Sequence, residues 1–241
     1  MLSKIRGIVL HTIKFKESSL IVHVYTDLHG RQTYLVHGVR GRRSGFQANT
    51  FQPLFLVEAE VYFKPGRDLQ KVKEIRNPYP YTSIPYDIIK SSQAMFLAEI
   101  LVKTIREEEA NPALFDYLVN AIQWLDAAEE KYADFHLLML VQLSRYLGFF
   151  PEKNYSPSRP YFDLRNGEFI RDPTVHPDML DKKTSQIFNQ FLSLTTGRLQ
   201  DKMLNYSDRI KLTDSLVDYY RLHVPSFGKI LSIEVLRELF R

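Results

Sequence analysis

Cysteine is absent from all 241 residues. That removes disulfides, thiolate nucleophiles and cysteine-ligated zinc or iron–sulfur sites, and it fits the reducing cytosol. Long apolar runs are missing as well. No stretch approaches the roughly 18 apolar residues of a membrane span, and the N-terminal MLSKIRGIVLHTIKFK has no uninterrupted apolar core ahead of a small-residue cleavage site. Neither a membrane span nor a signal peptide is expected. G-x-x-x-x-G-K-[ST], G-x-G-x-x-G and G-x-S-x-G do not occur, so nucleotide-binding and hydrolase readings lack support. The seven histidines form no H-x-E or H-x-x-x-H group. Glu107-Glu108-Glu109 and Glu129-Glu130 are adjacent in sequence, but neighbouring helical positions point apart, and such runs serve solvation. An enzyme is not expected, nor is a metal cofactor.

What is present is a composition of 44% hydrophobic and 25% charged residues, ordinary for a soluble globular protein, with an uneven charge. Residues 1–80 carry thirteen Lys and Arg against six Asp and Glu, a net +7, while the remainder carries nineteen against twenty-two, a net −3. A basic first third joined to a mildly acidic remainder suits one part facing a polyanion and another serving as scaffold or protein-binding surface.

From residue 4 to residue 76, β-branched and aromatic residues recur with partial alternation, which predicts strands at about 4–15, 19–26, 31–39, 54–63 and 69–76. Asp27-Leu28-His29-Gly30 and Lys64-Pro65-Gly66-Arg67-Asp68 supply turns. Five short strands beginning with a meander predict a small barrel, an OB-fold first among the choices. Pro78, Pro80 and Pro85 mark the boundary of a domain over 1–80. A helical domain over 81–241 follows, with helices expected at about 86–109, 112–127, 134–147, 178–194, 207–222 and 229–240. The first places Ile88, Ile89, Met95, Phe96, Ile100, Leu101 and Ile105 on its apolar face; Asn111-Pro112 opens the second, and Ser207 is the expected N-cap of the fifth. An insert at 149–178 contains a hairpin around Asn166-Gly167. The fold class is α+β.

The segment YLVHGVRGRRSGFQANT, Tyr34 to Thr50, spaces Arg40, Arg42 and Arg43 by glycine ahead of any new apolar run. Guanidinium resists burial without a partner, so these side chains are available for phosphate, although a solvated hairpin tip has the same composition. With Lys14, Lys16, Arg31, Lys64, Arg67, Lys71 and Lys73 they would form a cationic groove. Phe15, Tyr34, Phe46, Tyr62 and Phe63 are the candidate stacking platforms, in the manner of single-strand-binding barrels. No base-reading motif is visible, so binding would be sequence-independent and salt-sensitive. The competing reading is a protein-interaction adaptor whose helical domain binds partners and whose DNA affinity is incidental.

The run GIVLHTIKFKESSLIVHVYTDLHGRQTYLVHGVRG, Gly7 to Gly41, closely resembles the N-terminal domain of the bacterial RecO family: a G-[IV]-V-L strand at Gly7 to Leu10, an E-S-S turn at Glu17 to Ser19, a T-x-x-H-G end at Thr26 to Gly30 and a basic G-x-R turn at Gly38 to Arg40. YLGFFP at Tyr146 to Pro151 and HVPSFGKILSIEVLREL agree more loosely. The resemblance implies a cytoplasmic, nucleoid-associated recombination mediator in DNA repair. It would bind single- and double-stranded DNA and anneal complementary strands, and engage RecR and the C-terminal tail of SSB to help RecA load. It implies a match of Arg40 to the basic turn. Many members also carry four cysteines in the insert as a zinc-ribbon-like element; here Tyr161, Phe162, Leu164, Phe169 and Ile170 are expected to hold the hairpin by packing, without zinc.

Overall fold

A computed structural model describes residues 1–37, 48–199 and 204–239, which fall into two compact units, Met1–Asp126 and Ala127–Arg241. In the first, β1 (Leu2–Phe15), β2 (Ser19–Thr26), β3 (Gly30–His37), β4 (Leu56–Tyr62) and β5 (Gln70–Arg76) precede α1 (Ile88–Thr104) and α2 (Pro112–Ala127). The strands close in the order β1-β2-β3-β5-β4, antiparallel except for β3 with β5. This is the five-stranded closure of an OB-fold, as expected.

One irregularity decides which side chains face outward. β1 bulges between Val9 and His11 in its ladder with β2. Before the bulge, Ser3, Ile5, Gly7 and Val9 are buried with the interior residues Val24 and Thr26; beyond it Thr12 pairs with the interior Val22, so His11, Ile13 and Phe15 turn outward. The two ends of the outer surface then differ. Ile8 and Tyr25 point outward yet are buried, because α1 packs against β1, Phe115 of α2 meets the Tyr25 ring at 6.0 Å, and the Tyr25 hydroxyl donates to the Asn111 carbonyl. Burial, with Glu107 next, pushes the Tyr25 hydroxyl up to about 12.

The β2–β3 turn is seated on the segment between α1 and α2. Gly30 has φ +57°, Arg31 N–H donates to the Glu107 carbonyl at 2.9 Å, and a Cβ on Gly30 would lie 2.5 Å from the carbonyl oxygens of both Glu107 and Glu109. Backbone on both sides cannot give way as a flexible side chain would. Gly30→Ala is expected to lower stability by about 2–3 kcal/mol, read from the denaturant midpoint at unchanged slope.

α1 departs from the expected apolar face. Asp87 caps it by accepting from the N–H groups of Ile89 and Lys90, and the buried residues include Phe96, Ile100 and Leu101 as expected, but also Leu97, Lys90 and Gln93. Ile88 and Met95 face solvent instead. The reason is Asp126, at the far end of α2: its buried carboxylate accepts from the N–H groups of Thr82, Ser83 and Ile84, and its carbonyl accepts from the Lys90 ammonium at 3.2 Å and the Ser83 hydroxyl. These bonds draw Lys90 inward and rotate Ile88 out. Tyr81 completes the seam, taking the Leu56 N–H at 2.8 Å and donating to the Leu54 carbonyl. Asn111 does cap α2, through the Leu114 N–H.

The second unit contains α3 (Phe135–Tyr146), β6 (Tyr161–Asp163), β7 (Glu168–Ile170), β8 (Met179–Leu180), α4 (Lys182–Ser193), α5 (Tyr206–His223) and α6 (Ile233–Leu239). α3 is buried around most of its circumference. The expected hairpin is one side of a three-stranded sheet, since β8 pairs with β6. α4 therefore starts at Lys182, capped by Asp181, rather than at 178. Asn205, not Ser207, caps α5 by accepting from the Asp208 N–H. α6 begins at Ile233, four residues later than expected.

Phe162, Leu164 and Phe169 of the insert are buried, while Tyr161 and Ile170 are half-buried. Phe162 packs edge-on against Phe169, Phe188 and Tyr219 at 4.7 to 5.9 Å. Asp163 accepts from the N–H groups of Arg165 and Asn166, and Asn154 bonds both backbone groups of Phe169. Asp163 is spent on its own turn, His176 approaches it only to 3.6 Å, and among the described residues no group of three or more His, Cys, Asp or Glu is placed to hold a metal ion.

Candidate nucleic-acid interface

The open end of the barrel's outer surface can be read row by row from strand register. His11, His23 and Thr33 lie side by side across β1, β2 and β3. The next row is Ile13, Ile21 and Leu35, continued by Lys71 of β5 and Tyr62 of β4. The third is Phe15, Ser19 and His37. Ile13 is 44% exposed and Tyr62 50%. An apolar and aromatic belt with an ammonium set in it is the surface on which bases can stack while phosphates are met by charge.

The neighbouring surface of β1, β4 and β5 is different. Glu60 takes Lys73 at 2.8 Å and Lys4 at 3.6 Å, Glu58 takes Arg76 at 2.5 Å, and Asp27 takes Arg6 at 3.1 Å. Lys73 and Lys4 hold the Glu60 carboxyl below its usual range by hydrogen bond and charge, outweighing desolvation. A groove of about 880 Å³ runs here, lined by four cations and four carboxylates, Lys4, Arg6, Lys73 and Arg76 against Asp27, Glu58, Glu60 and Glu74. Its charge is already neutralised, so a polyanion gains little from it.

The candidate residues divide accordingly. Lys71 lies in the belt, and Lys14 and Lys16 are exposed where β1 turns into β2, the Lys16 ammonium 5.4 Å from the Phe15 ring centre. Lys64 and Arg67 are exposed on the β4–β5 turn, whose shape is fixed by the buried Gln70 amide, which donates to both their carbonyls. Lys73 is held by Glu60 in the neutralised ladder. Arg31 is turned away: its guanidinium donates to the carbonyls of Val102 and Ile105 at 2.7 and 3.1 Å, capping the C-terminal end of α1. Arg40, Arg42 and Arg43 lie outside the described residues, in the segment that follows His37 directly.

Among the aromatics, Tyr62 is on the surface and Phe15 and Phe63 are half-buried, Phe63 stacked on His29 at 3.7 Å. Tyr34, 2% exposed, belongs to the core, and Phe46 lies outside the described residues. Sequence reading missed His11, His23, Ile13, Ile21 and Leu35, because only the bulge shows that they share a face. In the second unit, Arg145 lies 4.0 Å from the Phe150 ring centre and Lys131 pairs with Glu130. Among the described residues, no helix is long and apolar enough to cross a membrane.

Comparison with known proteins agrees with this arrangement of barrel and helices. The family described as Recombination protein O N terminal matches residues 1–79, and Recombination protein O C terminal matches 85–229. The chain is 39% identical over 241 residues to the DNA repair protein RecO of Bacteroides fragilis and 37% identical over 240 residues to that of Phocaeicola vulgatus, each covering 100% of both chains. It is 34% identical over 238 residues to the RecO of Flavobacterium psychrophilum, covering 98% of each. The chain belongs to the RecO family of DNA repair recombination mediators.

Proposed function

We propose that this protein binds single- and double-stranded DNA across the open belt of its barrel and the adjoining Arg40, Arg42 and Arg43 segment, and that it anneals complementary strands. It acts with RecR to help load RecA on SSB-coated single strands, the acidic SSB tail meeting the helical part of the chain. Annealing needs no covalent step and no zinc. Cations lower the repulsion between two phosphate backbones, and weak sequence-independent contacts let register be searched before pairing locks it. The protein works in the bacterial cytoplasm at the nucleoid.

The observation that carries this reading is the partition of barrel charge. Lys4, Arg6, Lys73 and Arg76 are matched by carboxylates, whereas the rows containing Ile13, Lys71, Tyr62 and the histidines contain none. Anisotropy of a labelled single strand across a salt series tests it. Replacing Arg40, Arg42 and Arg43 together by Ala should flatten the log–log salt slope by about 2, roughly 0.7 for each phosphate that is no longer neutralised on a single strand, and abolish annealing. Lys4→Ala, in the neutralised ladder, should leave the slope in place. Coincident slopes for wild type and the triple variant would move the DNA site away from this segment.

A further inference from the structure

We infer that the His11–His23 pair is a phosphate-binding subsite of the barrel belt, taking a phosphodiester of the bound strand between two imidazoles and accepting a proton as it does so. The inference deepens the reading of the belt as a DNA surface and rests on it. The two residues are cross-strand partners on β1 and β2, their rings stacked at 6.0 Å and 14°. His23 Nδ1 lies 3.0 Å from the Thr33 hydroxyl. A hydroxyl both donates and accepts, so this bond survives whether the ring is neutral or protonated, and it leaves Nε2 for a ligand.

The groups facing the pair supply no counter-charge. Thr33 of β3 bonds His23, the Arg31 guanidinium acts on it only as a like charge from its seat on the end of α1, and the next row is Ile13, Ile21 and Leu35, with Lys71 beyond it on β5. Burial, then Arg31 and His11, push the His23 imidazolium below the usual histidine range, which favours the neutral ring in the unliganded protein. A phosphodiester set against the rings supplies the missing anion and raises their proton affinity. Binding therefore draws in protons, and affinity rises as pH falls from the ligand-bound pKa toward the lower ligand-free one. The ladder side offers no such group, since each of its cations is already charged.

The test is the dissociation constant of labelled oligo-dT measured by anisotropy from about pH 8 to about pH 6 at fixed ionic strength, in the range where histidine titrates. Wild type should bind about five- to tenfold more tightly at the acid end. The His11→Gln/His23→Gln double variant should lose that gain. His29→Gln, whose ring is stacked on Phe63 away from the pair, should retain it. In parallel, the dependence of the calorimetric binding enthalpy of wild type on buffer ionisation heat should report net proton uptake, which needs no variant to fold. Wild-type binding that is independent of pH, or an unchanged pH dependence in the double variant, overturns the inference while the belt remains the DNA surface. Absence of binding at every pH overturns both.

Discussion

Arg209→Ala should cost the fold about 3–5 kcal/mol at neutral pH, the scale of removing one partner from a buried ion pair. Arg209 of α5 donates through Nε to Asp134 at 2.6 Å and through a terminal nitrogen to the Leu204 carbonyl at 2.9 Å, and Asp134 is only 1% exposed. Burial pushes the Asp134 carboxyl above its usual range even with Arg209 opposing it. An acid raised in the folded state favours folding most when it is protonated, and that contribution is lost as pH rises through the raised value. Removing the guanidinium raises the carboxyl further. The destabilisation measured by urea unfolding should therefore shrink as pH is lowered toward the carboxylate range. Asp134→Asn combined with Arg209→Met should recover most of the stability, because neither a buried charge nor its desolvation remains. A destabilisation as large at acid pH as at neutral pH would show that packing around the guanidinium, not charge, holds this junction.

Asp126→Ala should cost about 4 kcal/mol, because it strands three backbone donors at once. The N–H groups of Thr82, Ser83 and Ile84 are each deprived of their acceptor, at 2.8 to 3.0 Å, in a site where the carboxylate is 2% exposed. The pH dependence has the opposite sign to that of Asp134. Burial alone would raise this carboxyl, but the three N–H groups and the Thr82 hydroxyl outweigh it and hold it below the usual range. Its contribution is present above the unfolded carboxylate value of about 3.9 and fades as pH falls through the lowered folded one. Differential scanning calorimetry of wild type and Asp126→Ala should show curves that converge toward acid pH. Parallel curves would mean the carboxylate is not what closes the seam.

Much of the barrel was legible because strand alternation and turn chemistry coincide: the Gly30 and Gly66 turns both take positive φ, as the sequence around them predicts. The helices were legible as elements, less so in their orientation. α1 was misread where Lys90 lies inside and Ile88 outside, since the cause is Asp126, thirty-six residues away, whose bonds no local periodicity encodes. The cap of α5 moved from Ser207 to Asn205 for a local reason, two cap-forming residues within three positions, of which only the geometry selects one. β8 escaped notice because two residues are too short to show alternation. For the candidate site, the basic character of the first third was visible but its partition was not. Arg31 and Lys71 look equivalent in sequence; one caps α1 and the other sits beside Leu35 because of pairing between β3 and β5. The bulge after Val9 reverses the parity of the rest of β1, so a reading that extrapolates alternation from Ile5 puts His11 and Ile13 on the wrong side.

The way β1 is shared between two neighbours also sets the order in which the chain can assemble during synthesis. Its second half pairs with β2, but residues Leu2 to Ile8 pair with β4 in the register Leu2 with Tyr62 to Ile8 with Leu56, and the N-terminal ammonium donates to the Phe63 carbonyl. The first half of β1 thus waits for a partner strand made about fifty to sixty residues later. At ~5–20 residues per second, the β1 to β3 meander stands with half of its first strand uncovered for several seconds. Thr82 to Ile84 wait in turn for Asp126, made 42 to 44 residues after them. Nascent chains arrested before β4 emerges should therefore be the ones most prone to edge-to-edge association, and those arrested beyond α2 should resist it.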